Sequence, residues 1–168
     1  MKTQFIAEVS SNHHANLERC KQFIQCSKDI GCDGVKFQLF RIRELFAPEI
    51  LAKSETHRLR EAWELPASMI PELSAFSRSL GLDFSCTPFY LEAVDELEPY
   101  VDFYKIASYE LLWDELLQRT AKTGKPVVLS TGMATMDEIK HATQTLRESG
   151  CVDLTLLHCI SGYPTPVE

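Results

Sequence analysis

Six short apolar segments, rich in β-branched or aromatic residues, recur along the chain, separated by stretches of helical period. They run from Phe5 to Ser10, Gly34 to Leu39, Asp83 to Thr87, Phe103 to Ser108, Pro126 to Thr131 and Leu154 to Cys159. Strand signals that alternate with helix signals are the pattern of a parallel sheet built from βα units. Between the first two segments, Leu17, Cys20, Ile24, Ser27 and Ile30 fall at helical spacing and predict one buried face. Leu73, Phe76 and Leu80 do the same further on. Thr135-Met136-Asp137-Glu138 reads as a capping box opening a helix that runs toward Ser149, with Gly150 where a left-handed cap belongs.

A chain of 168 residues supports one globular core, since a domain of that size hides roughly 70% of its unfolded surface. The 45% apolar and 24% charged fractions are those of a globular protein, and no apolar run is long enough to span a bilayer. Glu8 interrupts the first apolar segment, which a secretory signal would not tolerate, so a cytoplasmic protein is expected. The six cysteines (Cys20, Cys26, Cys32, Cys86, Cys151, Cys159) show no C-x-x-C pair and are expected to be free, mostly buried thiols. A net charge of −7 argues against a nucleic-acid partner but not against a small anion held in a local cluster of lysines.

One connection breaks the rhythm. The stretch from Phe40 to the helix carrying Leu73 contains Pro48, His57, Arg58, Arg60, Trp63 and Pro66, and is expected to be a long functional or mobile loop. It leaves the carboxyl end of its strand, the face on which parallel βα folds bind ligands. Six strands fall short of the eight of a closed barrel, so the chain is expected to be either part of a (β/α)8 barrel or an open doubly wound sheet.

The carboxyl ends of the strands carry polar residues that a core would not choose: Glu8, Lys36 with Gln38, Thr87, Lys105 with Ser108 and Glu110, Ser130 with Thr131, and His158 with Ser161. Taken singly, Glu8 and Lys36 read as a structural ion pair. Taken together, two lysines with the hydroxyls of Thr87 and Ser108 suit a phosphate and a carboxylate on one small molecule, and Glu8 suits proton transfer. Thr131-Gly132-Met133-Ala134-Thr135 reads either as an anion-favouring helix amino terminus or as a simple strand-to-helix turn. Asn12-His13-His14 and His158 read either as metal ligands, though without the spacing of a metal site, or as hydrogen-bonding groups of a polar loop or toward substrate, while His57 and His141 read as surface residues of a loop and a helix.

Ala7-Glu8-Val9 with Asn12-His13, Val35-Lys36-Phe37-Gln38, Ser85-Cys86-Thr87-Pro88-Phe89, Tyr104-Lys105-Ile106-Ala107-Ser108, Thr123-Gly124-Lys125-Pro126 with Leu129-Ser130-Thr131-Gly132-Met133, and Leu157-His158-Cys159 with Tyr163-Pro164-Thr165-Pro166 together resemble the sialic acid synthase family, end to end. That resemblance implies a (β/α)8 TIM barrel, of which about six βα units lie in residues 1–168. It implies condensation of phosphoenolpyruvate with N-acetylmannosamine or a 2,4-diacetamido sugar to give a sialic, legionaminic or pseudaminic acid, with release of phosphate. By it, Lys36, Thr87, Lys105, Ser108 and Ser161 match phosphoenolpyruvate-binding positions, Glu8 the catalytic carboxylate, and Glu110 and Tyr163 positions facing the acceptor sugar. A divalent cation, Mn2+ or Mg2+, and a homodimeric full-length enzyme are implied as well.

The sequence also departs from the family. By the resemblance, the metal-binding histidines lie beyond Glu168 and the small antifreeze-like domain is absent, so no metal ligand is expected in this chain and the 168 residues alone are expected to be inactive. Ser161 stands where some relatives have asparagine, and Tyr109 where many have glycine. Two other readings remain: a class I aldolase with a Schiff base on Lys105, and an inactive truncated barrel that serves as a structural or oligomerisation module.

Overall fold

The computed structural model describes residues 3–167. These divide into two compact units, one reaching to Asp102 and the other starting at Phe103.

In the first unit the order is β1 (Ile6–Glu8), α1 (Leu17–Asp29), β2 (Gly34–Leu39), α2 (Ile42–Leu45), α3 (Pro48–Lys53), α4 (Glu55–Arg58), two 3₁₀ turns (Leu59–Trp63 and Ala67–Met69), α5 (Ile70–Ser79), β3 (Asp83–Pro88) and α6 (Leu91–Leu97). The strands lie in chain order and pair in parallel, with Glu8 opposite Lys36, Lys36 opposite Ser85 and Gln38 opposite Thr87. Successive side chains of a strand point to opposite faces, so Val35, Phe37 and Leu39 share one face of β2 and Lys36 and Gln38 the other. Phe37 and Phe84 are fully buried, with ring centroids 5.9 Å apart. On α1, Cys20, Ile24 and Ser27 are buried as their spacing predicts, but Ile30 caps the helix and is 78% exposed. Asp102 receives the Phe84 N–H at 2.8 Å and an Arg78 N–H at 3.0 Å, fastening the end of this unit to β3 and α5.

The connection expected to be a loop is mostly helical. Ile42 and Leu65 are buried near its two ends, and the Ile42 N–H donates to Glu64 at 2.6 Å. His57, expected on a loop surface, belongs to α4; it bonds Ser54 at 2.6 Å and packs edge-on against Phe46. Short turns with local caps carry no long periodicity, which is why the pattern in the sequence did not disclose them.

The second unit runs β4 (Phe103–Ile106), a 3₁₀ turn (Ser108–Glu110), α7 (Asp114–Lys122), β5 (Val127–Ser130), α8 (Met136–Glu148) and β6 (Leu154–Leu157). Its strands are again parallel and in chain order. The capping box of α8 is formed as predicted: the Glu138 N–H donates to Thr135 Oγ1, and the Glu138 carboxylate accepts the Thr135 N–H at 2.7 Å. Gly150 follows with φ +107°, a conformation that glycine adopts without a Cβ penalty. His141 lies exposed on α8 and pairs with Asp114 at 2.9 Å.

All six predicted strands are present, four of them two or three residues shorter than the apolar runs. Ser108 falls outside its strand, in the turn that follows β4, and Ser161 lies in the segment beyond β6. All six cysteines are free; Cys20, Cys86 and Cys151 are buried, Cys32 and Cys159 partly so, and Cys26 is exposed.

Candidate active site

In the first unit the strand-end residues converge on one ammonium group. The side chain of Lys36 is 9% exposed; its Nζ forms an ion pair with Glu8 Oε2 and donates to Thr87 Oγ1 at 3.2 Å. The parallel register places these groups on neighbouring strands. A buried lysine needs such partners, because an unpaired ammonium in apolar surroundings is costly. Three protons sit on Nζ and two are engaged here, so the third is available to an anion. Thr87 Oγ1 accepts from Lys36, which leaves its own proton to donate.

Glu8 is the exposed member, 41% accessible at its side chain, and its Oε1 accepts the Ser10 N–H at 2.9 Å. Ser10 itself has φ +52°, an uncommon conformation for a residue other than glycine. The Ser10 hydroxyl reaches Gln38 Oε1 at 3.5 Å, a link that the sequence did not disclose. Cys86, wholly buried beside this cluster, has its thiol pushed far up by desolvation, so it stays a neutral packing group.

The loop after β1 is held by short bonds of its own. Asn12 Nδ2 donates to Val9 O at 3.0 Å, and Arg19 Nε to Asn12 O at 2.5 Å. His13 is fully buried against Phe37, and its Nδ1 accepts the Ala15 N–H at 2.9 Å, which puts the ring proton on Nε2. His14 and Ala15 both have φ +50°, so this bond closes a left-handed turn. Burial, with His14 nearby, lowers the His13 pKa. Among the described residues no three His, Cys, Asp or Glu side chains stand where they could hold a metal ion together.

In the second unit, Ser108 and Glu110 lie in the 3₁₀ turn that follows Lys105 on β4. The Glu110 carboxyl is raised to about 7 by burial, against the opposing pull of its own backbone N–H and of Lys105. Its Oε2 is buried without a hydrogen-bond partner. Ser108 Oγ accepts the Gly132 N–H at 3.0 Å, and Ser161 Oγ approaches the same glycine from the segment after β6. Ser108, Tyr109, Leu111, Leu112, Gly132 and Met133 line part of an open cleft of about 180 Å³. Tyr163 is 95% exposed, and His158 is exposed as well.

Of the two readings of Thr131 to Thr135, the strand-to-helix turn is the one formed. The first turn of α8 begins at Met136, and the Glu138 carboxylate already occupies its amino terminus through Thr135. Gly132 lies ahead of the helix, in the turn closed by Ala134 N–H to Thr131 O at 3.3 Å. The glycine therefore serves its neighbours, Ser108 and Ser161, and not the helix end.

The family model described as the NeuB family matches residues 23–168. An uncharacterized protein of Methanocaldococcus jannaschii, MJ1065, is 41% identical over 99% of this chain and 48% of its own length. The N,N'-diacetyllegionaminic acid synthase of Campylobacter jejuni is 34% identical over 98% of this chain and 53% of its own length. The chain thus spans about half the length of the curated relatives it matches. Among solved structures, the sialic acid synthetase of Leptospira borgpetersenii superposes with a TM-score of 0.91 at 28% identity, over 99% of this chain and 57% of that one. A truncated 3-deoxy-D-arabino-heptulosonate 7-phosphate synthase from Thermotoga maritima, 15% identical with a TM-score of 0.69 over 91% of this chain and 49% of that one, shares the fold alone. The six parallel strands and the helices between them are those of a (β/α) barrel, and the chain belongs to the NeuB family of sialic, legionaminic and pseudaminic acid synthases.

Proposed function

We propose that the protein acts in nonulosonic acid synthesis by condensing phosphoenolpyruvate with an N-acylated amino sugar, either N-acetylmannosamine or a 2,4-diacetamido sugar, with release of phosphate. The observation that carries this reading is the buried Lys36 ammonium held between Glu8 and Thr87 at strand ends, in a chain of this family. The Leptospira relative is in complex with citrate, a small polyanion of the kind such a seat attracts. Lys36, Thr87, Lys105, Ser108 and Ser161 are assigned to the donor, and Glu110 and Tyr163 to the acceptor.

In the proposed reaction the enol carbon of phosphoenolpyruvate attacks the open-chain aldehyde of the sugar, and a new C–C bond forms. The alkoxide left on the former aldehyde takes up a proton, water adds to the cationic carbon, and collapse of the resulting hemiketal phosphate breaks its C–O bond to give the ketone and inorganic phosphate. Lys36 and Lys105 hold negative charge on the donor, and Glu8 takes the proton from the attacking water. A divalent ion would act as a Lewis acid on the aldehyde in the complete enzyme. The described residues offer no three-ligand set for it, so no step is drawn through a metal on this chain.

The test is phosphate release by the complete gene product from phosphoenolpyruvate with N-acetylmannosamine and Mn2+, with 2,4-diacetamido sugars as alternative acceptors. Lys36→Met is expected to lower kcat/KM by about a hundredfold, the loss typical of one preorganised charge donor. Absence of phosphate with every sugar refutes the assignment. Borohydride trapping with pyruvate is expected to leave Lys105 unlabelled, since no Schiff base is required.

A further inference from the structure

We infer that Gly132 is a positioning residue for the donor, and that its hydrogen atom in place of a side chain allows the hydroxyls of Ser108 and Ser161 to converge on one point. This deepens the phosphoenolpyruvate reading and rests on it.

Glycine is usually required where the backbone turns left-handed. Gly132 does not have that conformation; the left-handed residue in this turn is its neighbour Met133, at φ +66°. A side chain at position 132 is therefore excluded by space and not by the backbone. A Cβ there would stand 2.5 Å from Ser161 Oγ and 3.0 Å from Ser108 Oγ, with Cys159 Cβ at 3.4 Å. Both close contacts are hydroxyl oxygens on freely rotating χ1 bonds, so an added methyl displaces the serines without forcing the backbone.

The second contribution of Gly132 is its N–H, donated to Ser108 Oγ at 3.0 Å. A serine oxygen that accepts this bond keeps its own proton to donate. Ser108, on the turn after β4, is thereby oriented as a donor, and Ser161, from the segment after β6, is brought beside it. Two hydroxyls held beside one bare Cα suit an anionic oxygen of the donor, which can come close to that Cα only because no side chain stands there.

Positioning and stability respond differently to substitution at this glycine. Gly132→Ala is expected to leave the thermal midpoint of the 168-residue chain within about 3 °C, since only two rotamers need shift. The same variant is expected to weaken phosphoenolpyruvate binding about tenfold by calorimetric titration. Ser161→Ala alone is expected to cost about threefold, and Ser161→Ala added to the Gly132→Ala variant to cost nothing more, because the methyl has already displaced that hydroxyl. Equal affinity of the wild type and Gly132→Ala, or full additivity of the two substitutions, overturns the inference. No phosphoenolpyruvate binding by the wild-type chain overturns the donor reading itself, together with the role built on it. In the complete enzyme the same glycine substitution is expected to raise KM for phosphoenolpyruvate and to leave KM for the sugar unchanged.

Discussion

Glu110, half-buried, and His13, fully buried, are ionisable groups whose shifts give the fold two opposite responses to pH. Glu110, raised to about 7, is held protonated by the folded chain where an unfolded glutamate with a pKa near 4.5 has already ionised. The folded state therefore binds the extra proton, its stability is full below pH 4.5, and the contribution is lost as pH rises through about 7. Glu110→Gln is expected to remove this loss and to gain about 1 to 2 kcal/mol over the wild type at pH 8, less than the whole shift implies, because the group is partly screened by solvent. Urea midpoints at pH 5 and pH 8 check it, and a difference of the same size in both proteins refutes it. His13 works in the other direction: its lowered pKa means that the folded chain resists protonation, so stability falls as pH drops below the unfolded value of 6.5. His13→Asn keeps an oxygen for the Ala15 N–H but cannot be protonated, so its stability should vary less than the wild type's between pH 7 and pH 5 in denaturant titrations. An unchanged slope over that interval contradicts the assignment.

At the scale of elements, α8 shows how much a local pattern can decide. Thr135 and Glu138 cap each other in the structure as their spacing predicted. Thr135→Ala is expected to cost about 1 kcal/mol in urea unfolding, with Thr135→Ser restoring most of it. Equal midpoints for all three proteins would show that the cap does not contribute. The strands were legible for a similar reason, since buried parallel strands read as nearly continuous apolar runs. Their polar ends were legible too, because Lys36 and Glu8 interrupt runs that a purely structural strand would keep apolar. What the sequence concealed depends on contacts between distant segments. Arg41 lies over the Tyr90 ring at 3.9 Å and pairs with Glu96 at 2.8 Å, which no local period reveals. Gly132 looked like a helix-end glycine because the hydroxyls it accommodates belong to segments 24 and 29 residues away.

At the scale of the molecule, the most consequential surface is β6. This strand pairs along one side with β5, and no described strand pairs with its other side. Leu156 is 44% exposed and Leu157 37%, with Ile160 at 58% just beyond. An apolar strand with unpaired N–H and C=O groups is a template for another chain, and natural sheets blunt such edges with charge. The 168-residue chain is accordingly expected to associate with rising concentration when it is prepared alone. Sedimentation velocity over a hundredfold concentration range reads the association. Leu156→Lys should keep the chain monomeric over that range, because a lysine on the strand opposes pairing with a second copy. Val152→Lys, at a position 87% exposed ahead of the strand, should leave the association as it is. Equal suppression by both substitutions would assign the effect to net charge, and no association by the wild type would mean that the exposed leucines of β6 are not adhesive.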